Sequence, residues 1–136
     1  MENIIKLRSE IDAIKKDLMY QVKIVFIKES KELLETAPED ILGFRWVQYT
    51  PYFNDGDTCT FYANTEAELI DNHSREEGFS YEYYCPNTKE AKDLKQKLDK
   101  LLGEFNDDEY LDMFGDHCMV EILKDGTINI QEYDHE

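Results

Sequence analysis

The chain has little that would mark it as a cofactor enzyme, a membrane protein or a disulfide scaffold. Its 136 residues include three cysteines, Cys59, Cys85 and Cys118, which are far apart and odd in number. No CxxC pair exists, which excludes a zinc-knuckle pattern and a disulfide framework, so reduced thiols are expected. No stretch approaches 18 continuous apolar residues, so no membrane-spanning helix is expected. The start, MENIIKLRSEID, is charged every few residues and carries no apolar core of a secretion signal. Phosphate-binding glycine loops, GxGxxG, GxSxG and HExxH are all missing, which removes the common nucleotide, serine-hydrolase and zinc-protease signatures. Basic residues are also scarce: 15 Lys and Arg face 31 Asp and Glu, for a formal charge of -16.

What is present argues for a folded acidic domain. Nine Tyr, seven Phe and one Trp are too many aromatics for a disordered acidic chain. The length suits one domain with a modest core. The charge is segregated. Residues 1–36 are neutral, residues 37–88 carry -8, residues 89–100 carry +2, and residues 101–136 carry -10. Such a surface repels nucleic-acid phosphates and attracts basic protein surfaces and cations.

Apolar periodicity predicts a helix over residues 2–36. Ile4, Leu7, Ile11, Ile14 and Leu18 follow 3–4 spacing, and the stripe then shifts to Val22, Val25 or Phe26, and Leu33. Residues 20–28, YQVKIVFIK, are β-branched enough for a strand, but no turn residue precedes them and helix is favoured. A helix near 35 residues would be about 50 Å long. It must kink onto the sheet, project, or pair with a second copy, and the kinked arrangement is favoured. FRWVQYT (44–50) and TCTFYAN (58–64) read as a hairpin. Residues 65–80 are polar and read as irregular, with at most one short helical turn. YEYYC (81–85) reads as extended. Residues 87–105 form a second amphipathic helix behind an Asn or Thr cap, and 107–115 a short capped helix closed by Gly115. CMVEILKDGTINIQEY closes the chain as a hairpin. The expected fold is a single α+β domain over 1–136: a long N-terminal helix, an antiparallel sheet of two hairpins, helices packed on one face, in the order α-ββ-α-ββ.

The last hairpin admits two registers. A three-residue loop with Gly126 left-handed sets Val120 against Ile130 and Ile122 against Ile128, which the apolar pattern selects over a two-residue turn. Extended to its open end, that ladder puts His117 opposite Tyr133 and Asp116 opposite Asp134, with His135 just behind. Facing carboxylates need a cation, a shared proton, a basic partner such as Arg45, or open water. Upstream, YTPYFNDGDTC offers Asn54, Asp55 and Asp57 around Gly56. It is an ordinary turn or part of an acidic site; as a calcium loop it lacks the later ligands.

The blocks GFRWVQYTPYFNDGDTCTF and FGDHCMVEILKDGTINIQEYDHE together resemble a family of small acidic proteins of tailed phages. That family carries a Trp-x-Gln-Tyr-Thr-Pro-Tyr-Phe-Asn-Asp-Gly block, then Gly-Asp-His and a terminal Glu-Tyr-Asp-His. The resemblance covers about half the chain and implies a phage origin and the host cytoplasm, without naming an activity.

Two site sets follow. An acidic and aromatic binding surface would comprise Trp46, Tyr49, Tyr52, Phe53, Asn54, Asp55 and Asp57, although the aromatics also suit a packed corner. A metal site would use Asp55, Asp57, Asp116, His117, Asp134 and His135, whose oxygen-rich donors suit Mg²⁺, Mn²⁺ or Ca²⁺. The leading expectation is a non-enzymatic phage protein without a cofactor. It would act as an inhibitor or DNA mimic on a basic host or phage nucleic-acid-binding protein, with no direct nucleic-acid or membrane contact. A divalent-metal-dependent hydrolase is one alternative. A virion or assembly component, self-associating through the first helix, is the other.

Overall fold

The computed structural model of the chain describes residues 1–51, 59–79 and 83–134. Its elements are α1 (Glu2–Glu35), β1 (Gly43–Tyr49), β2 (Tyr62–Ala63), β3 (Glu68–Ile70), α2 (Asn72–Glu77), α3 (Lys89–Leu102), α4 (Asp107–Phe114), β4 (Cys118–Leu123) and β5 (Ile128–Glu132). This is the expected α+β arrangement of a long N-terminal helix and an antiparallel sheet. The strand order is β2-β1-β4-β5, with β3 pairing the same edge of β1 further along.

The strands are joined across the chain. β1 pairs with β4 from Gly43 opposite Leu123 to Gln48 opposite Cys118. The chains come so close at Gly43 that a Cβ there would lie 2.2 Å from the Ile122 carbonyl oxygen, so only glycine fits. β4 and β5 take the register chosen by the apolar pattern, with Val120 opposite Ile130 and Ile122 opposite Ile128. Gly126 turns the hairpin with φ 91°.

Two expectations change and one holds. The polar stretch after the first hairpin contains β3 and α2 instead of irregular chain. β3 is buried through its neighbours, because Glu68 has an internal cation to meet, as described below. The stretch 20–28 is helical throughout, as favoured from the lack of a preceding turn residue. Finally, α1 does not lie along the sheet over its length: residues 1–18 are exposed, and burial begins with Phe26, Ser30 and Leu34. Charges surround the first half on most sides and leave it only a narrow apolar stripe, too little to hold it down.

The core lies between the sheet and α1, α3 and α4. Phe26 is its hub, meeting Trp46, Phe105, Tyr110 and Phe114 edge-on at centroid distances of 5.1–6.0 Å. α3 turns Ala91, Leu94, Leu98, Leu101 and Leu102 inward, behind a Thr88 hydroxyl that accepts from the Ala91 amide. α4 begins at a reciprocal cap in which Asn106 and Glu109 each accept the other's amide.

Candidate functional site

Strand alternation sends Trp46, Gln48 and Thr50 to the helix-covered face and Arg45, Val47 and Tyr49 to the other. Each face carries a polar constellation.

On the helix face, Trp46 is fully buried and its indole N–H donates to Gln48 Oε1 at 3.0 Å. Gln48, also fully buried, uses its amide nitrogen on two carbonyls, Tyr110 at 2.9 Å and Gly115 at 2.6 Å. Just beyond the strand, the Thr50 amide and hydroxyl both donate to the Asp116 carboxylate, at 2.8 and 2.7 Å. The His117 amide donates to the same carboxylate at 2.8 Å. Gly115 and His117 both have positive φ, 95° and 49°, which turns the chain sharply between α4 and β4. The Trp-x-Gln-x-Thr and Gly-Asp-His segments are therefore two halves of one hydrogen-bonded junction. Burial raises the Asp116 pKa, but the hydrogen bonds from Thr50 and the His117 amide outweigh it and hold the carboxyl below its ordinary 3.8.

This placement corrects two site expectations. Trp46 belongs to the core and cannot present a surface. Tyr49 is largely buried too, meeting Tyr62 edge-on and Tyr133 at a tilt, with ring centroids at 4.9 and 5.8 Å. The packed aromatic corner is the reading that fits both residues. Asp116 is engaged by Thr50, so it does not depend on a cation to offset Asp134. The Tyr133 amide does donate to the His117 carbonyl at 2.8 Å, as the extended register requires. The ladder then stops, because the positive-φ turn diverts the chain at Asp116. Asp134 is exposed. Tyr52, Phe53, Asn54, Asp55, Asp57 and His135 lie outside the described residues. Among the described residues, no group of three His, Cys, Asp or Glu side chains is placed to hold a metal ion.

The opposite face holds an ion network centred on Arg45, which is 1% exposed. Its Nε donates to Glu68 at 2.9 Å and its Nη1 to Glu121 at 3.2 Å. Its Nη2 donates to the carbonyls of Ser74 and Gly78, at 2.8 and 2.6 Å. Those carbonyls end α2, so the guanidinium also meets the negative end of that helix. Asp71 starts α2, accepting from Ser74 N at 2.8 Å and from the Tyr84 hydroxyl at 2.7 Å. The carboxylate beside it pushes the Tyr84 phenol up to about 12. Sequence reasoning offers Arg45 only as a partner for Asp116. The available signal is a lone arginine in an otherwise uncharged strand, FRWVQY, which must find carboxylates once that strand is central.

Comparison with known protein families, curated proteins and solved structures returns no match. The chemistry therefore has to be judged from the residues. Beside Glu68 lies a cleft of about 590 Å³ lined by His73, Ser74, Glu77, Tyr84 and Cys85. Burial pushes the Cys85 thiol up, away from the nucleophilic thiolate. Cys118 is pushed further, to about 11, again by burial. Both thiols are packing groups at neutral pH. Glu68, the buried carboxylate in the cleft's lining, serves Arg45. What the geometry builds is a scaffold with one buried cation shared between two carboxylates and most of its remaining charge outside.

Proposed function

We propose that the chain is a non-enzymatic acidic binding protein that docks on the basic face of a nucleic-acid-binding protein, as an inhibitor or DNA mimic. One observation carries this reading: the two acidic blocks, 37–88 and 101–136, keep almost no cation for their own surface. They contain three basic residues in all. Arg45 is spent inside on Glu68 and Glu121. Lys124 is partly buried and donates to the Pro38 carbonyl at 2.6 Å. Arg75 alone is exposed among the three. Against it stand exposed carboxylates on separate elements, including Glu76 and Glu77 on α2, Asp108 and Asp112 on α4, and Glu132 and Asp134 at the end of β5; of these, Asp112 shares a cleft with Lys15, Lys16 and Lys23 of α1. An excess of exposed carboxylates speeds encounter with a basic partner and makes the binding salt-dependent. The motif resemblance supports a phage origin and action in the host cytoplasm.

The test is capture on the immobilised protein from a bacterial lysate freed of nucleic acid, followed by a salt gradient. A basic protein should be retained at low salt, released as the Debye length shrinks from about 10 Å at 0.1 M toward 3 Å at 1 M, and displaced by duplex DNA. Asp108→Lys with Asp112→Lys should weaken the capture. Retention indifferent to salt and to both substitutions would remove the basis for the reading.

A further inference from the structure

The first half of α1 carries an exposed aliphatic line with no cover among the described residues. Ile4, Leu7, Ile11, Ile14 and Leu18 are 52, 56, 41, 59 and 58% exposed. They alternate by three and four residues, the seven-residue repeat of a two-helix seam rather than the broader stripe of a helix lying on a domain. Val25, seven residues beyond Leu18, continues the line and is 48% exposed. The domain does not obstruct it. Phe26, Ser30 and Leu34, which face the core, lie roughly 80–160° round the helix from the seam at 100° per residue.

The flanking charges select an occupant. Arg8 and Lys15 each follow a seam residue, Leu7 and Ile14. Glu10 and Asp17 each precede one, Ile11 and Leu18. One flank of the seam is basic and the other acidic. In a parallel pair of such helices, the residue preceding one repeat meets the residue that follows the next seam position on the other helix, so Glu10 of each copy meets Lys15 of the other. In an antiparallel pair, acidic flank meets acidic flank and basic meets basic. A neutral first helix on a chain of charge -16 is also the one segment where two copies can approach without net repulsion.

We infer that residues 4–18 form a parallel two-stranded coiled coil with a second copy of this chain. The seam is 15 residues, about 22 Å long at 1.5 Å per residue. A helix segment of that length is marginal in water alone. Here the second half of α1 is anchored in the domain core, so the first half has its nucleus already in place.

Sedimentation equilibrium on the full chain tests the inference. The expected mass is twice the 16.1 kDa of one chain. Ile11→Lys, at the middle of the seam, should return the mass to one chain while leaving the Trp46 fluorescence unchanged, because that end of α1 is outside the core. Glu10→Lys should weaken the dimer by setting a second cation against Lys15, and adding Lys15→Glu should restore it. Overturning results are a wild-type mass of one or three chains, a dimer indifferent to Ile11→Lys, or a Glu10→Lys dimer no weaker than wild type. A wild-type monomer that floats with phosphatidylcholine vesicles also overturns it, and would give the stripe to a lipid surface.

Discussion

Arg45 and Trp46 are neighbours on β1, equally buried, and held by opposite physics. Trp46 is stabilised by area: it stacks on Phe44, meets three further rings, and needs one acceptor, which Gln48 provides. Arg45 gains little from area. It is tolerated because two carboxylates and two helix-end carbonyls replace the water it lost. The helix face of the sheet is thus forgiving of polarity changes at its rim and intolerant of lost volume. The opposite face, around Arg45, is intolerant of a missing charge.

Substitutions can break that contrast. Trp46→Ala should cost about 3–5 kcal/mol in chemical denaturation, since it opens a cavity among Phe26, Phe44 and Phe114. Arg45→Met keeps much of the stem and should still cost about 3–5 kcal/mol, because Glu68 and Glu121 are left without their cation. The triple change Arg45→Met, Glu68→Leu, Glu121→Leu should recover most of that loss; if it does not, the network contributes more than mutual neutralisation. Gln48→Leu should cost about 1–3 kcal/mol by stranding the Tyr110 and Gly115 carbonyls and the Trp46 N–H. Asp116→Asn should cost less, under about 1 kcal/mol, since that carboxylate is partly open to water.

The Asp116 variant has a second signature. Its carboxyl pKa, like that of Asp71, is lower in the fold than the ordinary 3.8. At Asp71, burial raises the pKa and the bonds from Ser74 and Tyr84 outweigh it. A lowered folded pKa means the unfolded chain binds the proton first, so stability is present above about pH 4 and is lost as pH falls through the folded value. Thermal midpoints measured from pH 5 downward should fall more gently for Asp116→Asn than for the parent. At the smallest end, Asp12→Ala, on the exposed first half of α1 and off the aliphatic seam, should leave folding stability within about 0.5 kcal/mol.

The parts legible in the sequence are those set by neighbours along the chain. The Gly126 hairpin announces its register because Val120, Ile122, Ile128 and Ile130 have to share a face. α3 and α4 announce themselves through Thr88, Asn106 and the spacing of Leu94, Leu98 and Leu101. What stays hidden depends on distant partners. β3 is three residues of which one is Glu68, and nothing local reveals that Arg45, 23 positions earlier, makes its burial acceptable. Glu121 is 76 positions from the same guanidinium. The Gly-Asp-His segment is visible as a feature, but alternation carries the ladder one step too far, because positive φ at Gly115 and His117 cannot be read from a strand pattern. The junction between Gln48, Thr50 and Asp116 follows only once β1 is known to lie beside β4.

That central pairing also sets a timetable. The inner strand β1 leaves the ribosome well before β4, which seals it along Gly43 to Gln48 and follows only after β2, β3 and three helices. At roughly 5–20 residues per second, β1 waits several seconds for its main partner. During that interval Arg45 and Trp46 are both without their final surroundings, while α1 is already complete. The nascent chain cannot commit its sheet until β4 has been made.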